Sequence, residues 1–298
     1  MKLVKLLHNP GAGDEGHDEK ELVALIEANS FECSYASVKK KIWTNFEPEP
    51  DFLVVAGGDG TVRKITKELF EQNLINKKWP IALLPLGTAN NIATTLGIKG
   101  KIEDIIQSWH KGKLKKYDVG TLDHIDQTHF FLESFGYGIF PYMMMEMKRR
   151  GKEEIGEPKE KIKSAVKLLH EITLSYEPRL CRLQIDGTDH SGKFLLAEIM
   201  NTPSIGPNLI LAPDAATDDG KLDVVLVAEK DKNKFVDYLL SKLNNAEEAY
   251  PFAGIKAKQI KISWDGTHVH TDDKVIKVEK NAAITIELKE GLLEFLVS

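Results

Sequence analysis

The strongest chemical signal in the sequence is a glycine-rich loop that follows an apolar run. Residues 52–56 read FLVVA, and the loop after them contains Gly57, Gly58, Asp59, Gly60 and Thr61. Glycine lets the backbone approach a phosphate closely, and the N–H groups that open a following helix attract anions. A bare phosphate repels Asp59, so this carboxylate predicts a Mg²⁺ ion between the two, or a hydroxyl group that it orients. A tight turn is the alternative, but it explains one glycine rather than three, and we favour phosphate binding.

Two further loops follow apolar runs in the same manner. Gly87 and Thr88 come after the run at residues 81–84, and Asn90 precedes another helix-like stretch. Asn9 opens the loop NPGAG after an apolar run near the N-terminus. Since the strands of a parallel sheet end at one edge, these loops are expected to wall one crevice. Each of the two is also typical of an ordinary turn, and Thr88 or Asn90 suits a helix cap.

The elements that must position these loops alternate in the first part of the chain. Strand-like and helix-like patterns follow one another in the order βαβα, which favours a doubly wound parallel sheet with both faces covered. We therefore predict an α/β domain over residues 1–118. Its predicted strands are residues 3–7, 31–38, 52–56 and 81–84, and its predicted helices are residues 19–28, 61–70, 90–96 and 102–109.

After about Tyr117 short strand-like runs separated by Gly, Asn and Asp dominate. That pattern predicts a β-sandwich-like domain over residues 119–288, with helical insertions at residues 161–174 and 233–243. Residues 289–298 could return to the first domain. The predicted strands are residues 130–135, 180–185, 193–200, 222–227, 260–263, 275–278 and 284–288.

Composition narrows the function classes. The 298 residues carry a net charge of −5, which argues against binding nucleic acid through a general basic surface. Cys33 and Cys181 lie too far apart for a metal motif or a disulfide framework, so a reducing cytoplasm is the simplest location. The first apolar run meets Asn9 and Pro10 too soon for a signal peptide, and no window has the length of a membrane span. Any membrane contact is therefore expected to be peripheral.

Taken together, the motifs carry a family resemblance. NPGAG, GGDGT and PLGTANN, in this order and at these spacings, resemble the catalytic domain of the diacylglycerol kinase and bacterial lipid kinase family. The resemblance extends to the segment that connects the family's two domains, which matches residues 117–120 and 130–138. The family signature P-x-A…D-D-G-x-L-D-V is resembled by residues 211–214 and 218–224. GGDGT alone is shared with NAD kinases and phosphofructokinases, whereas the combination is far more specific.

The resemblance implies a kinase that uses ATP and Mg²⁺, with the ligand site in the cleft between the two domains. It implies a structural Mg²⁺ site in which Asp219 supplies a side-chain ligand and Ala216 and Lys221 supply backbone carbonyls, although residues 218–220 also suit a hairpin turn. The residues that it places around the nucleotide are Asn9, Gly57, Gly58, Asp59, Gly60, Thr61, Gly87, Thr88 and Asn90.

The sequence departs from the family pattern at two positions. Bacterial members usually have Asp after PLGTAN, where this chain has Asn91. More importantly, Thr267 occupies the position of a glutamate in the family's D-G-E turn, which is taken to be the general base. A threonine hydroxyl cannot accept a proton at neutral pH as a carboxylate does. The residues that could substitute as the base are Asp59, Asp265, His268 and Asp272.

Two histidines alternate on the strand-like run that follows. His268 and His270 are expected to point to one sheet face. We favour ordinary surface histidines over the alternative, a metal site with Asp272 as a third ligand.

The function predicted from the sequence is that of an ATP-dependent lipid kinase acting on diacylglycerol or a related lipid alcohol. Asp59, Asp265 and the position of Thr267 are its candidate catalytic residues. One alternative is a homologue that binds nucleotide or lipid and has lost catalysis, which Thr267 motivates. A soluble-substrate kinase resembling NAD kinase is disfavoured by PLGTAN and DDGKLDV. The expected location is cytoplasmic with room for peripheral membrane contact, and a homodimer is compatible with the sequence.

Overall fold

The computed structural model describes residues 1–13, 18–125, 129–150, 158–246 and 250–297. The chain divides into two compact units. The first unit comprises Met1–Tyr117 together with Glu290–Ser298, and the second comprises Asp118–Lys289. None of the helices that the structure describes has the length and hydropathy of a membrane span.

The first unit is built on a parallel sheet with helices between its strands. The strands are β1 (Lys2–His8), β2 (Phe31–Ser37), β3 (Phe52–Gly57), β4 (Ile81–Pro85) and the end of β18 (Ala283–Val297). The helices are α1 (Glu19–Ala28), α2 (Asp59–Glu71), α3 (Asn91–Thr95) and α4 (Ile102–Ser108). The strands lie in the order β2-β1-β3-β4, and β18 adds to this sheet in parallel where Phe295 pairs with Ile81.

This strand order places a topological switch point between β1 and β3. The chain passes from β1 to β2 on one side and from β3 to β4 on the other, so the loops that leave β1 and β3 diverge. Open α/β sheets bind ligands at that point, outside the carboxyl ends of the strands. Every residue of β3 is buried, which explains its uninterrupted apolar sequence. Helix α2 packs the face carrying Val62, Ile65 and Leu69 into the core.

The second unit is dominated by antiparallel strands. They are β5 (Lys113–Asp123), β6 (Phe130–Phe131), β7 (Ser134–Gly138), β8 (Arg179–Ile185), β9 (Thr188–Asp189), β10 (Gly192–Met200), β11 (Ser204–Ile205), β12 (Leu209–Ile210), β13 (Leu222–Ala228), β14 (Ile255–Ala257), β15 (Gln259–Trp264), β16 (His268–Thr271) and β17 (Lys274–Lys277). Strand β10 lies at the centre and pairs with β7, β8 and β13, while β15 joins β8 to β18 and β16 joins β7 to β17.

Three helices accompany these strands: α5 (Ile139–Arg150), α6 (Pro158–Ser175) and α7 (Lys232–Leu243). They share an apolar cluster with β10 and β13, in which Phe140, Leu169 and Phe235 are almost fully buried. A second cluster, around Phe135, Tyr137 and Trp264, is formed largely by the strands. The predicted fold class, an α/β parallel-sheet unit followed by a β-sandwich-like unit, is confirmed.

Candidate functional site

The three glycine-rich loops leave the carboxyl ends of β1, β3 and β4, which lie side by side in the sheet with the switch point between β1 and β3. Direct contacts join all three. The side-chain Nδ2 of Asn9 donates to Oγ1 of Thr61 over 3.1 Å, and the backbone N–H of Asn9 donates to the carbonyl of Ala56 over 2.9 Å. Thr61 is 4% exposed. Through its hydrogen bond with Asn9, this buried side chain fastens the loop after β1 to the loop after β3.

Several of the glycines are required by this packing. A Cβ atom on Gly58 would lie 2.9 Å from Cα of Gly87, so the second and third loops touch backbone to backbone. A Cβ atom on Gly57 would collide with the side chain of Thr61. Gly13 has a φ of +69°, and a Cβ atom there would collide with the carbonyl of Leu86. The glycines therefore bring three backbone segments together, in addition to any close approach that they allow to a phosphate.

Asp59 connects the second loop to the third. Its Oδ2 accepts from the N–H of Asn91 and its Oδ1 accepts from the N–H of Ile92, both over 2.9 Å. The carboxylate thus caps α3 from the first residue of α2. Asp59 is half-buried.

Asn90 takes a different role from the helix cap that the sequence suggested. Its φ is +53°, and its side chain makes no capping hydrogen bond to α3. Instead Oδ1 accepts from the N–H of Gly87 over 2.9 Å, and Nδ2 donates to the carbonyls of Gly87 and Pro85 over 2.7 and 3.3 Å. Asn90 therefore closes its own loop. The alternative of a helix cap does not describe Asn90, because the side chain that accepts from the first N–H groups of α3 is Asp59. Thr88 is exposed.

The electrostatics of this edge favour an anion. The N–H of Gly60, in the first turn of the 13-residue helix α2, has no acceptor within the helix, and the helix dipole is positive there. Lys39 adds a full positive charge, which the sequence analysis missed. A Cβ atom on Gly11 would lie 2.6 Å from its Nζ, so the ammonium lies against the first loop. The sequence feature that could have pointed to Lys39 is its position just after β2, at the same edge of the sheet.

In the second unit, Thr267, at the position predicted for a general base, carries its hydroxyl beside an imidazole. Oγ1 of Thr267 lies 3.1 Å from Nδ1 of His268, and both residues are half-buried. Asp265 instead pairs with Lys280 over 2.7 Å. The hydrogen bond from Lys280 lowers the pKa of Asp265, so this carboxylate is a weaker base than an ordinary aspartate.

Asp272 is committed to the backbone. With a φ of +50°, it turns its carboxylate towards the N–H groups of Leu132, Glu133 and Ser134, which donate over 2.8 to 3.2 Å. Asp272 is 8% exposed. The residue fastens the end of β16 to the segment between β6 and β7.

His270 is not a surface histidine, so that expectation is wrong. It is 1% exposed, and its Nε2 lies 2.6 Å from Oε1 of the fully buried Glu198. Burial lowers the pKa of His270, but the charge and hydrogen bond of Glu198 outweigh burial, and the net pKa is raised. The alternation of His268 and His270 could not reveal this, because both faces of β16 are partly covered.

The predicted structural metal residues lie in one turn before β13, but the turn already holds a positive charge. Oδ1 of Asp219 accepts from the N–H of Lys221 over 3.0 Å, and Oδ2 lies 2.9 Å from Nζ of Lys256. Ala216 precedes them and is half-buried. In the ranges that the structure describes, no group of three or more His, Cys, Asp and Glu side chains could hold a metal ion.

Comparison with known proteins gives two family matches. Residues 4–122 match the diacylglycerol kinase catalytic domain, and residues 150–271 match the YegS C-terminal NAD kinase beta sandwich-like domain. The chain is 24% identical over 247 residues to the diacylglycerol kinase of Bacillus subtilis (strain 168), an overlap of 79% of this chain and 77% of that protein.

Two solved structures share the fold. A diacylglycerol kinase from Bacillus anthracis strain Sterne is 23% identical, with a TM-score of 0.73, and the match covers 100% of this chain and 97% of that chain. An NAD kinase from Archaeoglobus fulgidus in complex with ATP is 12% identical, with a TM-score of 0.52, over 98% of this chain and 92% of that chain.

Proposed function

This chain belongs to the family of diacylglycerol kinases and related bacterial lipid kinases, and from that premise we propose that it transfers the γ-phosphate of ATP to the hydroxyl of diacylglycerol or a related lipid alcohol. The observation that carries the proposal is the set of three interlocked loops at the switch point of the first unit, with Asp59 bonded to the start of α3. Such an edge suits a polyphosphate because backbone N–H groups and a helix N-terminus converge on it.

In this proposal the first unit holds ATP. The N–H of Gly60 and the ammonium of Lys39 contact phosphate oxygens, while Asn9 and Thr61 keep two of the loops in register. Residues at this edge also fit Mg²⁺, because Asp59 is a half-buried carboxylate and carboxylate oxygens are ligands that this ion prefers. When bound, Mg²⁺ neutralises charge that develops on the transferring phosphate.

The second unit supplies the proton acceptor in this proposal, and the candidates narrow to His268. Asp265 is paired with Lys280, Asp272 is bonded to three backbone N–H groups, and Asp59 caps α3. His268 remains, with Thr267 beside it. If Nδ1 donates its proton to Thr267 Oγ1, Nε2 keeps a lone pair that can accept a proton.

In the proposed reaction one bond forms at the γ-phosphorus and one bond breaks. The lipid hydroxyl oxygen forms a bond to the γ-phosphorus while the bond from that phosphorus to the bridging oxygen of ADP breaks. The hydroxyl proton moves to Nε2 of His268, and ADP leaves with the bonding electron pair. Thr267 is a positioning residue here, because it touches the imidazole rather than the reacting atoms.

The test is transfer of label from γ-labelled ATP, with Mg²⁺, to lipid alcohols in mixed micelles, with NAD as a soluble acceptor in the same panel. We expect label in the lipid fraction with the unmodified protein and with Asp104→Asn, an exposed change on α4, but not with Asp59→Asn. Transfer of label to NAD, with none to the lipids, would show instead that the acceptor is a soluble molecule. No transfer above the level of Asp59→Asn would rule out kinase activity on that panel.

The second candidate function is that of a nucleotide- or lipid-binding homologue with impaired catalysis, and Thr267 is the observation that favours it. Thr267→Glu discriminates between the two, because it restores the carboxylate that the family carries at this turn. If the homologue is impaired, this substitution raises transfer from near zero. If His268 already serves as the base, the unmodified protein turns over briskly and Thr267→Glu brings no gain.

A further inference from the structure

We propose that the ammonium group of Lys256 takes the place of the structural metal ion beside Asp219, the implied side-chain ligand in the turn of residues 216–221. The family resemblance implies a Mg²⁺ ion at this turn. The geometry of the turn disagrees, because a positive charge belonging to the protein is already there. This inference concerns the second unit alone and goes beyond the proposed kinase activity.

Three oxygen atoms converge on that ammonium. Nζ of Lys256 lies 2.9 Å from Oδ2 of Asp219, 2.9 Å from Oδ2 of Asp223 and 3.0 Å from the carbonyl oxygen of Asp214. Two carboxylates and one carbonyl are the oxygen ligands that a hard divalent cation takes. Lysine has three N–H donors, one for each of these oxygens, so the set is matched by the ammonium.

The sheet fixes Lys256 in place. Lys256 is the middle residue of β14, and it lies directly opposite Asp223 in the antiparallel pairing of β13 with β14. Directly opposite residues carry their side chains on the same face, so the register alone brings the ammonium to Asp223. The contact with Asp219 then joins the turn before β13 to the same cation.

Burial makes a cation necessary at this place. The side chain of Asp223 is 5% exposed and that of Lys256 is 31% exposed. A buried carboxylate without a partner is strongly unfavourable, and either a metal ion or an ammonium group can satisfy it. Because Lys256 is tethered on the neighbouring strand, its effective concentration at the site is high, and a divalent ion must displace it to bind.

The experiment uses the full-length protein without nucleotide, so that ATP-associated Mg²⁺ does not contribute. Thermal unfolding is followed in EDTA and in millimolar Mg²⁺, and Mn²⁺ binding is measured by the electron paramagnetic resonance signal of the free ion. We expect the Tm of the unmodified protein to be the same in both buffers, with no Mn²⁺ site that depends on Asp219. The matched control Lys261→Ala, an exposed lysine of β15, should behave identically.

Removing the ammonium should create a metal site. Lys256→Ala is expected to lower the Tm in EDTA, to regain several degrees in a saturable manner with Mg²⁺, and to bind one Mn²⁺ ion that Asp219→Asn abolishes. Lys256→Arg, which keeps a cation, is expected to stay independent of metal.

Two results would overturn the proposal. One is Mn²⁺ binding by the unmodified protein that disappears in Asp219→Asn. The other is a folded Lys256→Ala protein whose Tm in EDTA is unchanged and that binds no Mn²⁺. If Lys256→Ala does not fold, the measurements on the unmodified protein and on Asp219→Asn decide alone.

Discussion

Oδ2 of Asp59 accepts a hydrogen bond of 2.9 Å from the backbone N–H of Asn91. The other carboxylate oxygen does the same for the next residue of α3. The acid in the GGDGT loop therefore positions the PLGTANN loop, and the same carboxylate is the one that would face a Mg²⁺–ATP complex. Its structural role and its proposed catalytic role can be separated by measuring stability and turnover on the same variants.

Asp59→Asn replaces one of the two acceptor oxygens with an NH₂ group that cannot accept the N–H of α3. Loss of a helix cap of this kind costs about 1 kcal/mol of unfolding free energy, which urea titration measures. If Asp59 also acts on the ATP complex, kcat falls much further, on the order of 100-fold, in protein that remains folded. A kcat that is unchanged in folded Asp59→Asn would limit the residue to its structural role.

Lys39→Met should raise the KM for ATP. A charged hydrogen bond to a phosphate contributes roughly 1.5–3 kcal/mol, so the expected rise is about tenfold or more, with kcat nearly unchanged. The measurement is steady-state kinetics with ATP varied at a fixed lipid concentration. Lys40→Met is the matched control, because Lys40 is the adjacent exposed lysine. Equal KM values for the two variants would contradict a contact between Lys39 and the nucleotide.

His268→Gln should lower kcat by about 10²- to 10⁴-fold, the range for loss of a general base, while the KM for ATP changes little. Thr267→Val, which removes only the hydroxyl, should have a smaller effect. His129→Gln, at an exposed position, serves as the control. A kcat of His268→Gln equal to that of His129→Gln would exclude His268 as the base.

The buried pair of His270 and Glu198 predicts a pH-dependent stability. The pKa of His270 is raised in the folded protein, because the charge of Glu198 outweighs the opposing effect of burial. A histidine whose pKa is raised on folding stabilises the folded protein fully at pH values below its pKa in the unfolded chain, which is near 6.5. This stabilisation is lost as the pH rises through the pKa of the folded state. The free energy of unfolding, measured by urea titration, should therefore decline as the pH is raised above about 6.5.

Variants of this pair separate its contribution from other titrations. His270→Gln leaves the buried Glu198 without its cation and should cost about 3–5 kcal/mol, since one partner of a buried pair is removed. The double variant Glu198→Gln with His270→Gln removes both charges and should recover part of that loss. A pH dependence in His270→Gln as steep as that of the wild type would contradict this assignment.

Much of the fold could be predicted from the sequence because its signals are local. The uninterrupted apolar run at residues 52–56 indicates a strand covered on both faces, and the structure places it as the fully buried β3. The glycine-rich loops were predicted at strand ends because glycine, hydroxyl and amide residues follow each apolar run. These features depend on residues within one turn or one strand of each other.

The contacts that the sequence could not supply depend on register between distant segments. The bond from Asp59 to α3 requires β3 and β4 to lie side by side, and the pair of Lys256 with Asp223 requires the pairing of β13 with β14. His270 looked like a surface residue because alternation gives its face but not what covers that face. Lys39 belongs to no recognisable motif, and only its position just after β2 indicates that it lies near the site.

The proposed kinase activity depends above all on the loops after β1 and β3 holding the phosphates of ATP. A crystal structure of the protein with a non-hydrolysable ATP analogue and Mg²⁺ tests it most directly. We expect the phosphates at the carboxyl ends of these strands, within hydrogen-bond distance of the N–H of Gly60 and the ammonium of Lys39. Phosphates bound elsewhere, with these loops making no contact to them, would contradict it.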